Sequence, residues 1–284
     1  MSSWNPSGHP ARKQFDKDDF IFMTTEAGFC SQFNNYLYSI ILAKKFKKKL
    51  LLFDKVSPVS LSYNLIKNTF SLPPTVELIN VLPPNTKSTQ LSYYKKIMNV
   101  MTHETEESIR REAQATFRLC PEMAERVNEE IVKYRFPAFD LGIHIRSGDK
   151  ITTKEMLPIP MTQYIAEITN YKAKINKHVL NVFVMTDNIS LLNLLKTSIG
   201  PSINIYSIEF KSPCTNGHLQ GEFNLHSRDV KEAAYIQILA ELTIMQRIPA
   251  ILCTLSSNIG RFLYITCLST TNFKSLDIPR YAPV

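Results

Sequence analysis

Gly142-Ile143-His144-Ile145-Arg146-Ser147-Gly148-Asp149-Lys150 joins a short apolar strand to a turn that carries guanidinium, carboxylate and ammonium groups. Strand alternation sends His144 and Arg146 to one side and Ile145 to the other. Gly148 lets the chain turn sharply before Asp149 and Lys150. In a parallel α/β sheet such strand ends face the ligand crevice. Arg146 there presents a planar fork suited to a phosphate, with a structural ion pair as its other reading. His144 reads equally as a ligand-side donor or a core imidazole, and Asp149 as a tether for Arg146 or the loop.

Working outward, the nonapeptide belongs to a series. Strands are predicted over 139–145, 180–186, 203–208 and 249–254, with helical patterns over about 160–172, 189–197, 229–246 and 257–267. This alternation predicts a doubly wound sheet. Upstream, Phe20-Ile21-Phe22-Met23 and Leu50-Leu51-Leu52-Phe53 flank a helical pattern through Phe33, Leu37, Ile40, Ile41 and Ala43, which is a parallel crossover unit. Pro73-Pro74 and Pro83-Pro84 break the stretch 57–100 into loops and short elements. Over 103–134, Glu104, Glu106 and Glu107 lead a charged and apolar pattern that suits a helix or a helix pair, with Pro121 as break or first-turn residue. The renewed strand series places a boundary at 138/139. It divides an α/β domain over 1–138, with a loose polar arm over 1–18, from a Rossmann-like domain over 139–284.

With 284 residues, 44% of them apolar, the chain can bury one large core or two small ones. Its formal charge of +8 is spread along the sequence, and the one dense basic cluster, Lys44-Lys45-Phe46-Lys47-Lys48-Lys49, falls at a predicted helix end where the dipole favours cations. No specific nucleic-acid partner is expected. The five cysteines are widely spaced, which suits a reducing compartment. The polar N-terminus has no apolar run for a signal peptide or span. The expected location is the cytoplasm, or the Golgi if an N-terminal anchor has been removed.

Three further strand or helix ends carry candidate groups. Asp187 follows the apolar strand at 182–186 and reads as a ligand contact or as the cap of the next helix. Thr254, Ser256, Ser257 and Asn258 follow the strand at 249–254, where hydroxyls and first-turn N–H groups hold phosphate or cap the helix. Gly28 allows close backbone approach at the start of the first helix, beside Cys30, which reads as a buried thiol rather than a nucleophile. There is no Walker A loop, G-x-G-x-x-G, H-E-x-x-H or G-x-S-x-G, and His9, His103, His178, His218 and His226 show no ligand spacing. Metal-dependent and serine hydrolysis are disfavoured. No acid-x-acid pair closes a predicted strand, so a sugar diphosphate would rely on Arg146, Lys150 and helix N-termini for charge neutralisation in place of a metal.

In their order these motifs resemble the fucosyltransferase superfamily, and within it the α1,6-fucosyltransferase and rhizobial nodulation fucosyltransferase branch. His144-Ile145-Arg146-Ser147-Gly148-Asp149-Lys150 is similar to H-x-R-R-x-D-K, Thr186-Asp187-Asn188 to T-D-D, and Cys253-Thr254-Leu255-Ser256-Ser257-Asn258 to C-T-F-S-S-Q, with Arg261 beyond. Gly28-Phe29-Cys30-Ser31-Gln32-Phe33 is similar to G-x-G-x-Q-L. The resemblance covers residues 20–268. It implies an α/β GT-B-like fold, with two Rossmann-like domains facing a cleft, and inverting, metal-independent transfer of L-fucose from GDP-fucose to a hydroxyl of a glycan acceptor. By the same resemblance Gly28, His144, Arg146, Asp187, Thr254, Ser256 and Ser257 surround the donor. Glu241, thirteen residues before Thr254, stands where the family reads guanine with an aspartate. No cofactor is implied beyond the donor substrate.

Three departures stand out. Ser147 replaces a second arginine, Cys30 replaces a glycine, and Lys154 occupies the place of a glutamate proposed as catalytic in that branch, with Glu155 beside it. The expected catalytic set is therefore Arg146, Lys150 and Glu155, with Glu26 as another carboxylate. The rival readings are a transferase using another GDP-sugar, a non-catalytic nucleotide- or carbohydrate-binding protein of the same fold, and an RNA-binding protein using residues 44–49.

Overall fold

The computed structural model describes residues 20–23, 28–53, 65–80, 104–154, 156–211, 216–268, 270–279 and 281. The readings of the arm 1–18, of Glu26 and of Glu155 lie outside the described residues.

In the N-terminal half, β1 (Phe20–Met23), β2 (Leu50–Phe53) and β3 (Val76–Leu78) form a parallel sheet in that order. The crossover from β1 to β2 is α1 (Phe29–Lys45), which begins before the predicted Gln32 and so brings Phe29, Cys30 and Ser31 into its first turn. Its apolar residues Phe33, Tyr36, Leu37, Ile40 and Leu42 are buried, and it ends on Lys44 and Lys45 where the helix dipole favours cations. Lys44 Nζ reaches Glu112 at 2.7 and 2.9 Å and Lys45 Nζ reaches Glu104 at 3.1 Å, so part of the basic cluster is drawn into ion pairs. After α2 (Leu65–Thr69), the charged stretch, read as a helix or a helix pair, forms a pair, α3 (Glu106–Thr116) and α4 (Pro121–Val132). Thr105 caps α3 by accepting from the Ser108 N–H at 3.2 Å, and Pro121 opens α4 in its first turn, where its missing N–H costs nothing.

The C-terminal half holds β4 (Leu141–Ile145), β5 (Leu180–Thr186), β6 (Ile203–Tyr206), β7 (Ala250–Cys253) and β8 (Asn272–Ser275), all parallel, in the order β6-β5-β4-β7-β8. Between them run α5 (Asp149–Thr152), α6 (Met161–Lys174), α7 (Ile189–Ser198), α8 (Gln220–Leu225), α9 (Arg228–Met245) and α10 (Asn258–Thr266). The chain winds outward from β4 to β6, then returns to pair β7 with the other side of β4. That reversal opens a crevice at the carboxyl ends of β4 and β7, the usual ligand position in such sheets.

β4 and β5 are buried on both faces, which explains their near-continuous apolar runs. One face packs with Tyr164 and Ile168 of α6 and Leu192 and Leu195 of α7. The other joins Phe183 and Met185 to Tyr235 and Leu239 of α9 in a cluster that also holds Phe33, Leu50 and Leu52 from the N-terminal half. Phe33, Phe70, Phe117 and Phe262 meet with ring centroids 4.8 to 6.2 Å apart, and such pairs add about 0.5–1.5 kcal/mol each beyond area burial. Aromatic packing thus binds α10 to the N-terminal half. Among the described residues no helix is long and apolar enough to cross a membrane.

Candidate functional site

A cavity of about 300 Å³ lies at the β4 and β7 crevice and takes its walls from both halves of the chain. Gly28, Phe29, Cys30 and Ser31 come from the start of α1, His144, Arg146, Asp149 and Lys150 from the end of β4, and Met185, Thr186 and Asp187 from the end of β5. His218, Gln220 and Phe223 form one rim, Gln237 and Glu241 of α9 the floor, and Ser257, Asn258 and Ile259 the start of α10.

Arg146 leaves β4 with a side chain only 10% exposed and donates through Nη1 to Asp187 and through Nη2 to Asp149. Asp187 also accepts from the Ser147 N–H at 2.8 Å and the His218 N–H at 3.0 Å. The helix-cap role belongs to its neighbour: Asn188 accepts from the Leu191 N–H at 3.1 Å. Gly148 turns at φ 70, and a Cβ placed there would stand 2.3 Å from the His218 carbonyl oxygen. Only glycine fits, because backbone lies directly against backbone. The Asp149 N–H then donates to that same carbonyl at 3.0 Å. The strand-end loop and the segment before α8 are locked together around the guanidinium.

His144 is buried, and its Nδ1 has no hydrogen-bond partner among the described residues. Burial, then the Arg146 charge, hold its pKa down at about 3, so the ring is neutral at physiological pH. Burial has the opposite effect on Glu241, pushing its carboxyl up to about 8 against the hydrogen bond that Gln237 Nε2 donates at 3.0 Å, with Asp187 adding a like charge. At neutral pH Glu241 is mostly the uncharged acid. Cys30 is also buried, its thiol raised to about 12, which makes it packing rather than a nucleophile.

The residues after β7 take different positions. Ser257 precedes α10, makes no capping hydrogen bond with its hydroxyl, and lines the cavity. Ser256 instead donates its hydroxyl to Asp277, and its N–H reaches the same carboxylate at 3.2 Å, beside the Leu255 N–H at 2.8 Å. Thr254 is buried behind the crevice, its hydroxyl 3.6 Å from Met156 Sδ, and does not line the cavity. Lys154 is exposed with φ 59 and is outside the lining, while Lys150 contributes to it. The groups that line the cavity thus combine a guanidinium, an ammonium, a neutral imidazole, a carboxylic acid and the N-terminal turns of α1 and α10, an assembly able to hold an anion at one end and a hydrogen-bonding ring at the other.

Sequence reading missed the rim at His218, Gln220 and Phe223. No spacing pattern marks it, because the loop reaches the crevice only by packing on Gly148.

By sequence the chain matches no protein-family model and no curated protein. Its fold is shared with solved enzymes. The NodZ alpha-1,6-fucosyltransferase soaked with GDP-fucose superposes over 88% of this chain and 93% of its own, with a TM-score of 0.56 and 13% identity. The fucosyltransferase NodZ from Bradyrhizobium covers 89% and 94%, with a TM-score of 0.57 and 14% identity. POFUT1 in complex with GDP-fucose covers 93% and 99%, with a TM-score of 0.58 and 10% identity. The two parallel α/β sheets facing a cleft are therefore the fold of these enzymes.

Proposed function

We propose that the chain is an inverting glycosyltransferase that moves L-fucose from GDP-fucose to a hydroxyl of a glycan acceptor without a metal ion. The observation that carries this reading is the cavity at the carboxyl ends of β4 and β7, where Arg146, Lys150, His144, Glu241 and two helix N-termini converge, in a fold whose solved relatives include structures with GDP-fucose. In this reading 139–284 is the donor-binding domain and 1–138 supplies the acceptor side.

The guanine edge, which offers adjacent N–H donors, pairs with Glu241 in its carboxylate form. The diphosphate sits against Arg146, Lys150, the Ser257 hydroxyl and the first N–H groups of α10 and α1. Arg146 keeps further N–H donors beyond the two it gives to Asp187 and Asp149. As the acceptor oxygen attacks fucose C1, the bond to the diphosphate breaks and negative charge grows on the departing oxygen. A guanidinium already fixed by two carboxylates meets that charge without reorganising, which is where electrostatic catalysis gains most. Gly28 leaves room for the donor at the start of α1, and Asp187 acts through Arg146. Thr254 and Ser256 support the turn from behind rather than touch the donor.

The test is a GDP-sugar panel read by GDP release over a glycan array, with EDTA in parallel. GDP-fucose is the expected donor, EDTA is expected to leave the rate unchanged, and Arg146→Ala is expected to lose at least about 10²-fold in activity. Full activity in that variant, or strong EDTA inhibition, rejects the mechanism. Turnover of a different GDP-sugar would move the assignment to that donor, and GDP binding with no turnover would make the chain a binding protein of this fold.

A further inference from the structure

We propose that His218 is the catalytic base, accepting the proton of the acceptor hydroxyl at Nδ1; this rests on the transferase reading above. The position that carries a glutamate in the resembling branch is Lys154, which is exposed and outside the cavity. Among the described residues, the carboxylates that line the cavity are committed elsewhere: Asp149 and Asp187 hold Arg146, and Glu241 lies buried on the floor under Gln237.

His218 differs from these in both geometry and tautomer. Gln220 donates through Nε2 to Asn224 Oδ1 at 2.7 Å, which turns its Oε1 toward His218 Nε2 at 3.1 Å. A carboxamide oxygen only accepts, so Nε2 carries the hydrogen and Nδ1 keeps a basic lone pair. The main chain of His218 is held at both polar ends, by its N–H to Asp187 and its carbonyl from Asp149 N–H, each at 3.0 Å. Its ring packs on Phe223 with centroids 5.1 Å apart. Gln220 Oε1 would stand 3.2 Å from a Cβ on Gly28, so the pair sits where the donor groups meet the N-terminal half. A base fixed this way by the elements that fix Arg146 needs no movement to meet an acceptor beside the donor.

The charges facing the imidazole are Arg146, Asp149 and Asp187, with Lys150 lining the same cavity. Burial lowers its pKa, the Gln220 hydrogen bond opposes this, Arg146 lowers it further and the two carboxylates raise it; the net direction is down. The ring is therefore unprotonated at neutral pH and competent to take a proton. In the step itself, an acceptor oxygen lone pair forms the bond to fucose C1, and the C1–O bond to the β-phosphate breaks with its electron pair leaving on GDP. The acceptor proton passes to Nδ1, and the imidazolium later returns it to water.

The experiment is His218→Gln, whose amide N–H still reaches Gln220 while no basic nitrogen remains. Expected results are a kcat lowered by about 10²-fold or more, a GDP Kd within about threefold of the parent, and loss of the acid limb of the kcat/KM profile. A kcat within about threefold of the parent at pH 7 overturns the assignment. Gln220→Glu places a carboxylate against Nε2 and is expected to move the acid limb upward by at least about half a pH unit; an unmoved limb also overturns it. Nitrogen NMR of the wild-type imidazole reads the tautomer without turnover, and hydrogen on Nδ1 instead of Nε2 rejects His218 by itself. A wild-type protein that binds GDP but transfers no sugar overturns the transferase reading and this one together, an outcome distinct from a fast enzyme unmoved by H218Q.

Discussion

Asp187 grips Arg146 through Oδ2 while its Oδ1 takes the Ser147 N–H, so a single carboxylate both aims the guanidinium and shapes the loop that carries it. The two side chains are 10% and 14% exposed, and removing one partner of a pair that buried typically costs about 3–5 kcal/mol. Asp187→Ala is therefore expected to destabilise the protein by about 3 kcal/mol in urea unfolding and to weaken GDP binding at least about tenfold by calorimetry. Asp187→Asn, which keeps an acceptor but not the charge, should fall between. Tighter GDP binding in the alanine variant would show that Asp187 competes with the ligand for Arg146 instead of presenting it.

In the donor-binding reading proposed above, Glu241 makes donor binding proton-coupled. In the free protein its pKa stands at about 8, so at pH 7 most molecules carry the proton there. Guanine N–H donors favour the carboxylate and lower that pKa, so GDP binding is expected to release close to one proton per site at pH 7. Calorimetry in buffers of different ionisation enthalpy measures this directly. Affinity should rise with pH toward about 8, and Glu241→Gln should remove both the proton release and the slope while weakening binding at least about tenfold. Proton release that survives E241Q would place the titrating group elsewhere.

Much of this architecture was legible in the chain. β4, β5 and β7 are apolar runs because both faces are covered, and α6, α7, α9 and α10 follow the predicted helical patterns, so their bounds differ from the predicted ones by only a residue or two, whereas the short α5 and α8 were not predicted. β8 was invisible: Asn272-Phe273-Lys274-Ser275 is a half-exposed edge strand without an apolar run, and its place beside β7 comes from tertiary pairing. Missing β8 also hid Asp277, and with it the reason Ser256 turns away from the cavity. Arg146 and Lys150 could be named because they directly follow an apolar strand, His144 because it lies on that strand, and Glu241 because of its distance from Thr254 in the resembling family. His218 could not, since it reaches the site through a loop anchored by the contact between Gly148 and the backbone at Gly217 and His218.

Ser256 and Ser257 are adjacent in sequence yet face different partners. The Ser256 hydroxyl is held by Asp277, whereas Ser257 lines the cavity at the start of α10. Ser257→Ala is expected to weaken GDP binding at least about tenfold with little change in stability, the size of one lost hydrogen bond to a charged group. Ser256→Ala should do the reverse, lowering stability by about 1–2 kcal/mol and leaving the GDP Kd within about twofold, because it strips one partner from a carboxylate that orders the turn. Equal losses of affinity in the two variants would mean that the turn rearranges when donor binds.

His144 and Glu241 bend the pH dependence of stability in opposite directions. His144 has its pKa lowered from 6.5 to about 3, so between those values the unfolded chain binds a proton that the native state refuses, and stability falls as pH falls. Glu241 has its pKa raised from 4.5 to about 8, so the native state holds a proton that the unfolded chain releases, and stability falls as pH rises through that window. Between pH 5 and pH 7 each group contributes about 2 kcal/mol of change, with opposite sign, and in the parent protein they largely offset one another. Single variants expose the two slopes. His144→Gln is expected to become less stable, relative to wild type, on going from pH 5 to pH 7, because only the Glu241 slope remains. Glu241→Gln is expected to become more stable over the same change. Urea unfolding at the two pH values measures both, and parallel behaviour of the variants would mean that at least one of these groups is solvated in the native state.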